Sequence, residues 1–191
     1  MSDTQSIREI LDFWFLPLDD PEHGKPRKVW WESTPELDAE LRHRFGALLD
    51  TAIAGALDHW RKSPDGALAL TLLCDQFCRN IHRRSARAFA GDAKARETAR
   101  HALARNYAVA YPPDMRMFFF MPFQHSEDLG DQEFCCILFA TLGNADTDKY
   151  AIEHRDIVAR YGRFPHRNEV LGRPSTAEEL DYLKTAKRFG Q

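Results

Sequence analysis

Residues 34–60, TPELDAELRHRFGALLDTAIAGALDHW, decide the fold class. Thr34 is a good N-cap, and Pro35 suits the first helical position, where a missing N–H costs nothing. Behind them Leu37, Leu41, Phe45, Leu48, Leu49, Ile53, Leu57 and Trp60 recur at helical spacing. That is the apolar stripe of one long amphipathic helix, with Gly55 as the place for a bend.

The same period runs outward in both directions. Ser6 and Glu9 offer a capping box for a helix carrying Ile7, Ile10, Leu11, Trp14 and Phe15. Asp19 to Pro26 is a turn-rich loop. Ser63-Pro64 opens a helix with Leu68, Leu72, Leu73 and Phe77 that ends near Asn80, and Arg83 to Gly91 reads as a loop. Asp92 caps a helix through Arg105, and Tyr111-Pro112-Pro113 breaks the chain. Met115 to Met121 suits either a helix or an extended segment. Ser126 is the expected N-cap of a helix through Leu142, closed by Gly143-Asn144. Asp148 opens a further helix that Gly162 ends. The last is capped by Ser175 with Glu178 or by Thr176 with Glu179. No alternating strand pattern, linker or fixed-period repeat is visible. The expectation is an all-α single domain over residues 1–191 with about eight helices.

Composition narrows the functional classes. A chain of 191 residues, 43% apolar and 29% charged, holds one real core and is marginal for two. Its net charge of −3 argues against a nucleic-acid partner, whose phosphates need a basic surface. No apolar run nears the ~20 residues of a membrane span, and no signal peptide is visible at the beginning. Cys74 and Cys78 lie one helical turn apart, and Cys135 and Cys136 are adjacent. This spacing predicts reduced, mostly buried thiols and a cytoplasmic location.

Three polar knots sit among aromatic residues: Asp75-Gln76-Phe77-Cys78-Arg79-Asn80, Phe123-Gln124-His125-Ser126-Glu127-Asp128 and Gly162-Arg163-Phe164-Pro165-His166-Arg167-Asn168. Polar groups are costly to bury singly, so their recurrence there points to a pocket or to buried networks. Asp75 and Arg79 form an i,i+4 pair, which fits a surface ion pair as well as a ligand site. Arg83 and Arg87, with Arg84 between them, could grip a carboxylate or phosphate or form a solvated basic loop. His125 and Glu127 stand where a helix begins. They suit proton transfer, or simple capping. His125, Glu127, His154 and His166 have metal-ligand chemistry but no metal-site spacing, so no metal is predicted. The sequence implies no particular cofactor. Trp14, Trp30, Trp31, Trp60, Phe118, Phe119 and Phe120 are expected in the core.

These stretches resemble the bacterial family grouped as domain of unknown function 924. The resemblance rests on Phe13-Trp14-Phe15, Asp75-Gln76-Phe77 with Arg79-Asn80, Ser85-Ala86-Arg87-Ala88-Phe89 with Asp92, and Pro122-Phe123 with His125-Ser126-Glu127-Asp128. It continues through His154-Arg155-Asp156, residues 162–168, Leu171-Gly172-Arg173 and Ser175-Thr176, and so covers nearly the whole chain. It implies tetratricopeptide-like antiparallel helical hairpins and brings no agreed activity. Cys78 stands where the family pattern has proline, and Arg84 where it has glycine.

Two functions follow as expectations. In the first, a polar pocket binds a small anionic ligand through Asp75, Arg79, Asn80, Arg83, Arg87, Arg163, Arg167 and Asn168. His125, His166 and Glu127 are then the candidate catalytic groups, and Arg79, His125 and His166 should share one concave site. In the second, the chain is a peptide- or protein-binding helical module, and the knots are structural networks. Whether the chain is an enzyme is left open by both.

Overall fold

The structure, a computed structural model, describes residues 2–186, and among these every regular element is helical. Helix α1 spans Asp3–Phe15; Ser2 caps it by accepting from the Gln5 N–H, so Ser6 is a buried helix residue rather than the cap. Helix α2, Pro35–Ile53, begins at Thr34 as its sequence requires. It does not continue to Trp60. Gly55 takes a φ of +85°, which glycine adopts without penalty, and a 3-10 turn at Asp58–Lys62 follows. Helix α3, Pro64–Leu72, capped by Ser63, runs through a π turn, Leu73–Phe77, into α4, Cys78–Ile81. Helix α5 is Asp92–Ala104, with Gly91 in the cap position expected of Asp92.

Residues Met115 to Met121 resolve as helical turns: α6, Pro113–Arg116, a 3-10 turn at Met117–Phe119, and α7, Met121–Gln124. Helix α8, Leu129–Ala140, is capped by Asp128, whose carboxylate accepts from the Asp131 N–H. Ser126, the expected cap, instead accepts from the Asp128 N–H and donates to Asp131. Helix α9, Ala145–Tyr161, starts at Asn144 rather than Asp148 and ends at Gly162, whose φ is +68°. Helix α10, Ala177–Leu183, has the Thr176–Glu179 capping box. Among the described residues no helix is long and apolar enough to cross a membrane.

Apolar period explains the packing. Gly66 to Leu72 are all buried, so α3 is apolar all round and must sit centrally, with α1 and α5 against it. Trp14, Phe15, Trp30 and Phe118 meet edge to face, and Phe77 lies tilted against Trp14, with ring centroids 5.1–6.0 Å apart. Helix α8 packs on α9, and a smaller cluster of Ile157, Val158 and Phe164 joins α9 to the residues behind it. Trp31 departs from the core expectation: it is 58% exposed.

Candidate functional site

The π turn is where the site begins. Inserting one extra residue into a helix turn re-aims the side chains after it, and such turns recur at functional positions. Here the turn buries Asp75, which is 1% exposed, although the sequence allowed a surface pair. Arg79, one turn on, donates through Nη1 to the Asp75 carboxylate at 2.9 Å and to its carbonyl at 3.0 Å. The same guanidinium reaches Asp92 at 2.8 and 3.2 Å. Asp92 can come this close because Gly91 has no side chain. A Cβ there would lie 2.1 Å from the Cys74 carbonyl oxygen.

His125 enters from the turn after α7. Its Nδ1 lies 2.8 and 3.0 Å from the Asp75 oxygens. Burial opposes ionisation of Asp75, but Arg79 and His125 outweigh it, and the carboxyl is held below the usual carboxylate range. An ionised Asp75 accepts only, so Nδ1 carries the proton and Nε2 the lone pair. Burial, then Arg79, push the His125 ring below the ordinary histidine range, more than Asp75 raises it. The ring is therefore neutral at pH 7.

Behind His125 lies Arg167, 6% exposed, on a 3-10 turn at Pro165–Arg167. Its guanidinium sits between the rings of Phe89 and Phe164, 4.6 and 4.5 Å from their centroids. It donates to the His125 carbonyl at 3.0 Å and stands 3.9 Å from Asp92. Burial and Arg79 lower it to about 10.

The Asp75–His125 pair opens on a cavity of about 600 Å³. Arg79, Asn80, Arg83 and His125 line it, together with Gln76, Gln124, His154, Trp30, Trp31 and Tyr150. Glu32, Asp114 and Asp146 add carboxylates to the wall. Arg83 is bound to Asp38 at 2.8 Å and also donates to Asn80. Burial lowers His154 to about 3, and its Nδ1 donates to the Tyr150 carbonyl at 2.7 Å.

The remaining expected site residues stand elsewhere. Arg87 pairs with Asp50 on the surface. Arg163 binds Glu179 at 2.6 and 2.8 Å, and Asn168 donates to Ser175 and Glu179 while accepting from Arg173. Glu127 accepts from the Phe164 N–H and from Arg173, a junction of backbone and guanidinium rather than a partner for histidine. His166 packs against Phe164, 5.4 Å between ring centroids, and is absent from the cavity lining. Burial and Arg167 lower it to about 4. The expected convergence of Arg79, His125 and His166 therefore brings two of the three to the cavity. Among the described residues no three metal-ligating side chains cluster.

Sequence reasoning passed over Trp31, Gln76, Asp92, Gln124 and Tyr150. Trp31 and Tyr150 carried no signal, because aromatics usually fill cores. Gln76 and Gln124 belong to two of the polar knots, directly beside Asp75 and His125.

A family model described as bacterial protein of unknown function (DUF924) matches residues 10–187. The structure of a protein of unknown function, ATU0120 from Agrobacterium tumefaciens, is similar: 37% identical, TM-score 0.87, covering 97% of this chain and 100% of that one. No curated protein matches the chain.

Proposed function

The chain belongs to the DUF924 family of bacterial proteins, and from that premise we propose that it binds a small molecule in the cavity beside His125 and exchanges a proton with it. One observation carries the reading: a histidine at a cavity wall is held by a buried carboxylate. Arg79 already has Asp92 as well as Asp75, so charge balance alone does not call for an imidazole there. Asp75 sets the tautomer and leaves Nε2 as a proton acceptor, an arrangement suited to general acid–base work. A volume of about 600 Å³ falls in the range of small-molecule sites.

The anion grip expected from Arg79, Arg83, Arg87 and Arg167 supports this reading less than His125 does. Asp75 and Asp92 hold Arg79, Asp38 holds Arg83, Asp50 holds Arg87, and Arg167 lies behind His125. The interaction-module reading draws on a different observation. Glu127, Arg173, Asn168, Glu179 and Arg163 form a mutually bonded network, as helix-junction glue would. We propose that junction as structural and the cavity as functional, in a reducing cytoplasm that suits four free thiols.

A fragment set of small polar molecules tests the proposal, read by tryptophan emission and by the His125 ring-nitrogen shifts. Binders should move both signals together, and His125→Gln should weaken them at least ~10-fold. If every binder leaves His125 unmoved, the proposal fails.

A further inference from the structure

We infer that the ligand of this cavity is a small organic cation, an amine carried on an aromatic or alkyl body. This rests on the cavity being the ligand site, and it adds the sign of the charge. The charged groups of the lining are unequally compensated. Its two arginines already serve carboxylates of the protein, Arg79 those of Asp75 and Asp92 and Arg83 that of Asp38. The Gln76 amide donates to Asp75 at 2.6 Å. The Trp30 indole N–H donates to the Trp14 carbonyl at 2.8 Å, so that ring can offer its π surface but not its donor.

The acceptors are not spent in this way. Glu32, Asp114 and Asp146 line the cavity, and among the described residues none of the three has an ion-pair partner. His125 adds the Nε2 lone pair. With each arginine compensated, the uncompensated charge of the wall is negative, and a field of that sign repels phosphate or carboxylate and concentrates cations.

The aromatic part of the lining fits the same ligand. Trp31 meets Trp30 edge to face at 6.4 Å yet stays 58% exposed on the cavity wall, and Tyr150 is 48% exposed there. Indole and phenol faces attract ammonium groups, by ~0.5–1 kcal/mol when exposed and ~2 when desolvated. An ammonium between these faces and the carboxylates would present its N–H bonds to groups that accept, and the His125 Nε2 lone pair would take one of those hydrogen bonds while the proton stays on the amine.

Three probes of one shape decide the sign: benzylamine, benzyl alcohol and benzoate at pH 7.5, with inorganic phosphate as a fourth, read by tryptophan emission and His125 shifts. Benzylamine should saturate with a Kd at least ~10-fold below those of benzyl alcohol and benzoate. Combined Glu32→Gln, Asp114→Asn and Asp146→Asn should weaken it by about 5–10-fold and flatten its salt dependence, and thermal unfolding checks that the variant remains folded. Trp31→Leu should weaken it separately. Tighter binding of benzoate or phosphate, or equal binding of all probes, overturns the cation and leaves the cavity as a ligand site. Benzylamine binding that ignores the three neutralisations also overturns it. If no probe binds while the fragment set finds ligands that shift His125, the cation inference falls alone; if neither does, both readings fall.

Discussion

Arg167 shows how far a single residue's role depends on its surroundings. By sequence it reads as part of a ligand grip. Buried between Phe89 and Phe164 and bonded to the His125 carbonyl, it holds together three segments distant in sequence. Arg167→Ala should therefore cost about 2 kcal/mol or more, from two desolvated cation–π contacts and a buried hydrogen bond. At this length that lowers Tm by roughly 4–8 °C, measurable by calorimetry. Lysine should not rescue it, because an ammonium does not stack as a planar guanidinium does. His154 makes a separate prediction. Its ring titrates near 6.5 when unfolded and near 3 in the fold. The unfolded chain then takes up a proton that the folded chain refuses. The associated stability is complete above pH ~6.5 and is lost as pH falls towards 3. At pH 5 the loss is on the order of 2 kcal/mol. His166, lowered to about 4, acts in the same direction. Urea unfolding of wild type and His154→Gln between pH 7 and 5 checks this: the variant's slope with pH should be flatter. Equal slopes would show that His154 is not buried neutral.

At the scale of elements, the π turn joining α3 to α4 governs the site. The Cys78 N–H bonds back to the Leu73 carbonyl, five residues earlier, with Asp75 at the middle of the turn. A proline at this position would lack that N–H and crowd the carbonyl four residues back. Cysteine keeps that N–H, and the turn closes through it. Beyond α4, Arg84 takes a φ of +61° in the left-handed region. Such conformations favour residues without a Cβ. The other control is the approach of α5 to this turn. Gly91→Ala would put a methyl 2.1 Å from the Cys74 carbonyl oxygen, pushing the start of α5 outward and Asp92 away from Arg79. Backbone cannot yield as a flexible side chain can, so the cost should be ~1–3 kcal/mol or more. Chemical denaturation with unchanged stability would contradict the packing described.

At the scale of the whole molecule, the thiols report on how the core closes. Cys74, Cys78 and Cys135 are buried and Cys136 half-buried, all four free, and burial raises each above the ordinary thiol range. A thiol reagent should therefore titrate four groups in denaturant without reductant. In the native protein it should reach at most one quickly, Cys136. Fewer than four in denaturant would mean a disulfide, and fast reaction of several native thiols would mean an open core.

By itself the sequence determined that the chain is helical, where most helices lie and which polar knots are unusual. These properties reside in local spacing: the 3.6-residue period, Thr34-Pro35, Gly162 and the Thr176–Glu179 box act within a few residues. Two caps fell on a neighbour of the expected residue, Asp128 rather than Ser126 and Asn144 rather than Asp148, because side-chain oxygens able to cap stand within about one turn of each other. Only the tertiary structure decided which knots meet. Asp75 and His125 are 50 residues apart, and Arg79 and Asp92 are 13 apart. Nothing local distinguishes an arginine that grips a ligand from one already held by a distant carboxylate. Burial in the fold, which makes an unpaired charge costly and an unpaired acceptor chemically available, made that distinction.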